Sequence, residues 1–241
     1  MTNYNKSMSS AIALDYIPVN YGRIKIVGDL CGLLNTDFEP KANIVMLPRR
    51  LKGDFSLLAN MMATEFELKD KEIFIKYDER EKLSQFQDSI KDEGARLAID
   101  VILNDMDFFH FAEARPHLRV LTGYTKDKTT HEFHVDGLEQ DFDRYMTCYN
   151  DPVTEFIRNQ DVYSVSGHKV RHNPQAEVFG FRAGDIWKQR VRNKKKNIVV
   201  DFVSDLLNIK ASRAFVHRAP KSDHPRIMMV GDCRLTSKKK T

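Results

Sequence analysis

The chain has 241 residues, enough to bury a sizeable core within a single domain. Hydrophobic residues make up 41% and charged residues 30% of it, a composition that excludes a globally disordered protein. The net charge of +4 is uneven, because residues 182–241 contain 16 Lys/Arg against 5 Asp/Glu, whereas residues 1–181 contain 22 against 29. This basic quarter favours an anionic partner or substrate, the alternative being a solvated basic loop and tail.

The cysteine pattern and the apolar runs bear on the cellular compartment of the protein. Cys31, Cys148 and Cys233 are odd in number and have no close spacing, which argues against a disulfide framework and against a CxxC site. Residues 1–16 lack the basic start and apolar run of a secretory signal. The longest apolar-rich run, residues 197–209, contains two aspartates and is too short to span a membrane. We predict a cytoplasmic protein without membrane contact, and the sequence leaves the oligomeric state open.

The first 117 residues predict a mixed support of helices and short strands. The β-type runs are RIKIVG (23–28) and ANIVML (42–47). Apolar residues recur at helical spacing in residues 55–68 and again in residues 80–109. Gly94 lies inside the second segment and either divides it into two helices or weakens one. No known motif is recognisable in this half.

From Leu118 onward the chain is a series of short β-rich runs separated by turn residues, which is typical of a sandwich or barrel. A helical insert is predicted near residues 190–212. We therefore predict one domain of class α+β with a mainly β core. Residues 118–241 are expected to form its core, a double-stranded β-helix (jelly roll, cupin-like), with the N-terminal helices as support.

The run HEFHVD, residues 131–136, is the candidate start of a metal site. In a strand, alternate side chains share a face, so His134 and Asp136 point the same way and His131 points the other. An imidazole and a carboxylate two residues apart supply two ligands of the facial triad that holds non-haem Fe(II). Alone this pattern is weak, because a chance HxD among eight histidines is nearly even odds. The alternative is that His134 and Asp136 are charged residues of an exposed strand and bind no metal.

Two downstream residues complete the pattern. His217 lies inside the β-type run RAFVHR and could supply the third ligand, while His131 and His224 are competing imidazoles. Arg226 opens the next run, RIMMVGD. The ordered set of His134, Asp136, His217 and Arg226 resembles the Fe(II)- and 2-oxoglutarate-dependent dioxygenase superfamily, and especially an uncharacterised bacterial branch of it. The resemblance covers residues 118–241.

The resemblance implies the cofactors and the site. Fe(II) would be held by His134, Asp136 and His217, which makes these three the catalytic residues. The distal carboxylate of 2-oxoglutarate would pair with Arg226, and Tyr124, ten residues before His134, would contact the same cosubstrate. The activity implied is a dioxygenase, in most members a hydroxylase, that uses 2-oxoglutarate, O₂ and a prime substrate. The sequence does not name that substrate.

A further pair of candidates lies in the run RYMTCY. Alternation places Tyr145 and Thr147 on one face of the strand and Arg144 and Met146 on the other. We expect the hydroxyl-bearing face to line the cosubstrate pocket.

Two other functions remain open at this stage. A cupin-like enzyme would use the same three ligands for a metal-dependent reaction without 2-oxoglutarate. A non-enzymatic basic interaction module could bind nucleic acid. The nucleic-acid hypothesis is less favoured, because the run Lys194–Lys196 has no interleaved aromatic residues on which bases could stack.

Overall fold

The structure is a computed structural model that describes residues 16–17, 23–38, 42–68, 72–122, 128–138, 142–166, 169–193 and 215–234. The helices are α1 (Leu30–Asn35), α2 (Phe55–Glu65), α3 (Glu81–Ser89) and α4 (Glu93–Phe111). The strands are β1 (Ile24–Ile26), β2 (Ile44–Leu47), β3 (Glu72–Lys76), β4 (Ala114–Leu121), β5 (His134–Val135), β6 (Gly137–Leu138), β7 (Phe142–Cys148), β8 (Glu155–Ile157), β9 (Val162–Ser166), β10 (Lys169–His172), β11 (Val178–Gly180), β12 (Ile186–Arg190), β13 (Arg192–Asn193), β14 (Val216–Arg218) and β15 (Arg226–Arg234).

Most of these strands form two sheets. Among the described residues, a seven-stranded sheet has the order β1-β2-β12-β7-β15-β4-β3 and a six-stranded sheet the order β11-β8-β14-β5-β10-β9. From β4 onward the chain passes repeatedly between the sheets, with β4, β7, β12 and β15 in the large sheet and β5, β8, β11 and β14 in the small one. This strand order is that of a jelly roll, which confirms the predicted α+β, mainly β fold.

A core of large apolar side chains joins the two sheets. Phe156, Phe181 and Phe215 from the small-sheet side pack with Trp187 and Met146 of the large sheet. The rings of Phe181 and Trp187 stack at a centroid distance of 4.4 Å. Alternation explains the arrangement, since each strand turns every second side chain inward. The cavity described below lies beside this core, between the same two inner faces.

The helices cover the outer face of the large sheet. The core on this side contains Leu118 and Val120 of β4, Ile227 of β15, and the buried stripe of α4. The helical signal that contains Gly94 is two helices, α3 and α4. The break precedes the glycine, at Ile90–Asp92, and the Asp92 carboxylate begins α4 by accepting a hydrogen bond from Ala95 N.

The first half of the chain also extends the large sheet, because β2 pairs with β12, β3 pairs with β4, and β1 adds to the outer edge of β2. The predicted helical insert and the lysine run at 194–196 lie outside the described residues. Within the described parts of the chain, no helix is long and apolar enough to cross a membrane.

Candidate metal centre

Two neighbouring strands, β5 and β14, bring the predicted ligands together. His217 on β14 lies directly opposite His134 on β5 in an antiparallel register, so both imidazoles project from the same face of the small sheet. Their ring centroids are 4.7 Å apart. Asp136 follows β5 directly, and alternation keeps its side chain on the face of His134.

Backbone carbonyls set the tautomer of both imidazoles. The Nδ1 atom of His134 lies 2.8 Å from the carbonyl oxygen of Glu132, and Nδ1 of His217 lies 3.3 Å from that of Phe215. A carbonyl oxygen only accepts, so each Nδ1 carries the proton. In the neutral form of either ring the lone pair is therefore on Nε2, and this tautomer binds a metal ion through Nε2.

The two Nε2 atoms face the carboxylate of Asp136. His134 Nε2 lies 3.8 Å from Asp136 Oδ1, and His217 Nε2 lies 3.6 Å from Asp136 Oδ2. One ligand atom from each residue falls within 4.8 Å of the others, as atoms around a single metal ion do. The structure thus brings together the three residues that the sequence selected as a facial triad.

Two side chains that the sequence did not select hold this carboxylate. Gln189 on β12 donates from Nε2 to Asp136 Oδ2 at 2.7 Å, and Arg144 on β7 places Nη1 2.8 Å from the same oxygen. Arg144 also forms a two-pronged ion pair with Asp232, at 2.6 and 3.0 Å. No local pattern in the sequence marks Gln189 or Arg144 as a neighbour of Asp136.

Burial and charge act on the pKa values of the centre. Burial lowers the pKa of His217 to about 4, although Asp136 acts in the opposite direction. Burial alone would raise the pKa of Asp136, but His217 and Arg144 outweigh it and lower the value to about 2. At neutral pH the pair is therefore a neutral imidazole and an ionised carboxylate, the protonation states that ligate a metal.

Arg226 lies in the wall of the same cavity. It is 7% exposed, and among the described residues its guanidinium has no carboxylate partner. Its Nε atom has no hydrogen-bond acceptor there, and its Nη2 atom contacts Cys148 Sγ at 3.9 Å. The start of β15 is fixed by Asn150, whose Oδ1 accepts from Ile227 N at 2.8 Å. Within the described parts of the chain Arg226 is thus a buried cation without a carboxylate beside it, an arrangement chemically suited to an anionic ligand.

The cavity between the sheets is also lined by residues that the sequence analysis did not select. Thr154 lines it and is buried, with Oγ1 3.6 Å from Cys148 Sγ. His131 lines it too, which corrects the prediction that this side chain points away. The strand begins only at His134, and His131 belongs to a 3₁₀ turn, to which alternation does not apply. His224 lies at the exposed edge of the cavity.

The expectation for Tyr145 and Thr147 is wrong, because the other face of β7 borders the cavity. Arg144 and Met146 line it, whereas the Tyr145 ring packs against the α4 aromatic Phe109 at 5.7 Å on the helical side of the sheet. Thr147 is fully buried and does not line the cavity. The other predicted cosubstrate contact, Tyr124, lies outside the described residues.

No protein-family model matches the chain, and no curated protein does. Solved structures do match. Dioxygenase for auxin oxidation 1 of Arabidopsis thaliana, in a complex with 2-oxoglutarate, is 7% identical with a TM-score of 0.41 over 86% of this chain and 90% of that one. The rice dioxygenase for auxin oxidation is 9% identical with a TM-score of 0.41, over 86% and 82%. A C-terminally truncated protein of Neurospora crassa, solved in apo form, is 11% identical with a TM-score of 0.35, over 85% of each chain.

At these identities and TM-scores the likeness says nothing about substrate or mechanism. What the centre can do follows from its own residues.

Proposed function

We propose that this chain is an Fe(II)- and 2-oxoglutarate-dependent oxygenase that couples decarboxylation of 2-oxoglutarate to hydroxylation of a second substrate. The observation that carries the proposal is a single cavity lined by both a His–Asp–His ligand set and the buried cation Arg226. A ligand that chelates a metal at one end and carries a carboxylate at the other satisfies both.

The donor set fits Fe(II). Two imidazoles and one carboxylate, supplied by His134, His217 and Asp136, are the protein ligands of the non-haem iron facial triad, which leaves coordination positions open. The same donors also accept other divalent ions, so the choice of iron rests on their pairing with Arg226. A structural metal site would have its coordination closed by protein ligands and would not need a buried cation beside it.

Arg226 fits the distal carboxylate of 2-oxoglutarate. Its guanidinium can donate two parallel hydrogen bonds to a carboxylate, and a neutral ligand would not supply the negative charge that strengthens them. Thr154 lies on the same side of the cavity, and its hydroxyl would give the carboxylate a second donor. Tyr124 retains its proposed role as a cosubstrate contact.

Bound iron and 2-oxoglutarate would supply the oxidative chemistry, in which 2-oxoglutarate and O₂ give succinate and CO₂ while one oxygen atom enters a C–H bond of the substrate. The protein's own residues bind and orient. Gln189 and Arg144 hold the Asp136 carboxylate in place, Arg226 fixes the cosubstrate, and the apolar core beside the cavity excludes water.

The proposal is tested by adding Fe(II) and 2-oxoglutarate to the protein without oxygen and recording the weak visible charge-transfer band of the chelate. We expect the band in the wild type and its loss in His134→Ala. Arg226→Ala should raise the concentration of 2-oxoglutarate that half-saturates the band by about tenfold or more, because it removes a charge-assisted pair. Release of succinate in air, over a panel of amino acids, peptides and nucleic acids, would then identify the substrate.

Arg96→Ala is the matched control, because it removes an arginine of equal charge at an exposed position of α4, on the helical side of the large sheet. It should leave the half-saturating concentration of 2-oxoglutarate unchanged. Absence of the band in the wild type would contradict the proposal. Fe(II) binding that requires His134, without a band on addition of 2-oxoglutarate, would support a cupin-like metal enzyme. A band whose dependence on 2-oxoglutarate is unchanged in Arg226→Ala would mean that Arg226 does not bind the cosubstrate.

A further inference from the structure

We propose that the substrate of this oxygenase is an organic anion, a phosphate ester or a carboxylate, bound by a basic rim made of Arg115, Arg119, Lys169 and Arg171. The inference rests on the function proposed above and names the class of its substrate. The rim residues belong to the inner faces of both sheets, around the cavity that holds the ligand set.

The small sheet contributes Lys169 and Arg171, both on β10 and both exposed. Lys169 lies directly opposite His134 in the antiparallel register of β10 and β5. Directly paired residues share a face and have Cα atoms about 5 Å apart, so the Lys169 side chain projects beside the ligand set. Arg171 shares that face two residues further along β10.

The large sheet contributes Arg119 and Arg115, both on β4. Arg119 lines the cavity itself. Arg115 shares its face four residues earlier, a separation of roughly 13 Å along an extended strand, and is exposed. The rim therefore extends on this wall from the cavity out to solvent.

The charge balance of these faces leaves a positive excess. Glu72 forms an ion pair with Arg119, and Asp232 and Asp136 both do so with Arg144. The cations Arg115, Lys169 and Arg171 form no ion pair with any described residue. Basic side chains on both walls of a cleft raise the local concentration of anions and favour them over neutral molecules of the same shape.

An exposed aromatic ring adjoins the rim and can take the body of the substrate. Phe74 on β3 is 51% exposed and lies opposite Arg119 in the register of β3 and β4. The Arg119 guanidinium lies 5.3 Å from the centre of the Phe74 ring. A large apolar side chain left exposed beside several cations suits a ligand that has an anionic group on an apolar or planar body.

Calorimetric titration of the full-length protein, loaded with Mn(II) and saturated with 2-oxoglutarate, tests the inference. The probes share one aromatic ring and differ in the attached group: phenyl phosphate has a phosphate, benzoate a carboxylate, and benzyl alcohol a neutral hydroxyl. Saturation with 2-oxoglutarate prevents benzoate from binding to Arg226. We expect phenyl phosphate or benzoate to bind at least about tenfold more tightly than benzyl alcohol, and the better of the two names the anionic group. Added salt should weaken that binding.

The variant Lys169→Glu/Arg171→Glu should weaken binding of the better anion by about tenfold. The matched control is Lys91→Glu/Arg96→Glu, which changes the net charge equally at two exposed residues on the helical side of the large sheet. Equal binding of benzyl alcohol, or equal losses in the two variants, would overturn the inference. Much tighter binding of a short single-stranded oligonucleotide would also overturn it, in favour of a nucleic acid.

These outcomes are separate from those of the proposed function. The visible band with Fe(II) and 2-oxoglutarate reports on the centre, whereas the calorimetric probes and the rim variants report on the rim. A protein that gives the band but does not distinguish the probes would keep the proposed function and lose the substrate class. A protein that distinguishes the probes but gives no band would keep the rim as an anion-binding surface and lose the proposed oxygenase function.

Discussion

Gln189 donates a hydrogen bond from Nε2 to Asp136 Oδ2 across 2.7 Å, and its side chain is almost completely buried. The other end of the amide accepts from Trp187 Nε1 at 2.9 Å. An indole can only donate, so the oxygen of the amide must face Trp187 and its nitrogen must face the carboxylate. The rigid ring of a core tryptophan thereby fixes the orientation of a proposed metal ligand.

The variant Gln189→Leu should weaken Fe(II) binding by about tenfold or more, the usual cost of removing a partner that orients a ligand. It removes the donor to Asp136 and leaves Trp187 Nε1 without its acceptor. Anaerobic calorimetric titration with Fe(II) measures the effect. Gln85→Leu, at an exposed position of α3, is the control and should bind as the wild type does. Wild-type affinity in Gln189→Leu would mean that the hydrogen bond is structural only.

Arg144 supplies a second prediction, through the stability of the metal-free protein. It is the ion-pair partner of both Asp136 and Asp232. Arg144→Leu should lower the melting temperature without metal, because two half-buried carboxylates lose their cation. Mn(II) should then raise the melting temperature of the variant by more than that of the wild type, since the metal ion neutralises Asp136. Thermal unfolding with and without Mn(II) checks this, and an equal rise in both proteins would contradict it.

The sequence predicted the jelly-roll fold from local patterns, whereas the candidate metal ligands were selected through the resemblance to a known superfamily. Strand alternation and turn residues predict the short strands of a jelly roll. His134 and His217 lie opposite each other on two neighbouring strands of its small sheet. The choice of Arg226 rested on the same resemblance. These features are readable without knowing which face of any strand points inward.

The partners of the ligands were not predictable in the same way. Alternation assigns Arg144 and Tyr145 to opposite faces of β7 but cannot say which face borders the cavity, since both faces of a central strand are buried in this fold. Gln189 contacts Asp136 across 53 positions of the chain, through the packing of one sheet on the other. Such contacts depend on tertiary geometry that no local pattern records.

The corrected face of β7 gives a third prediction. Thr147→Val should leave 2-oxoglutarate affinity unchanged and should stabilise the protein slightly, because the buried Thr147 Oγ1 has no hydrogen-bond partner in the described chain. Thr154→Val, the same change at a residue that lines the cavity, should raise the half-saturating concentration of 2-oxoglutarate several-fold. Anaerobic titration of the visible band compares the two. A loss of affinity in Thr147→Val alone would restore the original assignment of the faces.

The last prediction concerns the attachment of α4 beneath the site. Asp105 on α4 is 1% exposed, forms a two-pronged ion pair with Arg49, and accepts a hydrogen bond from Tyr149 at 2.8 Å. Asp105→Ala should lower the free energy of unfolding by about 3–5 kcal/mol, because it removes the carboxylate that forms the two-pronged pair with Arg49 and accepts from the buried Tyr149 hydroxyl. Asp107 also lies on α4, but its ion pair with Arg80 is exposed, so Asp107→Ala should lower the free energy of unfolding by less than about 1 kcal/mol. Urea denaturation of both variants measures the difference, and equal costs would mean that the buried pair contributes no more than an exposed one.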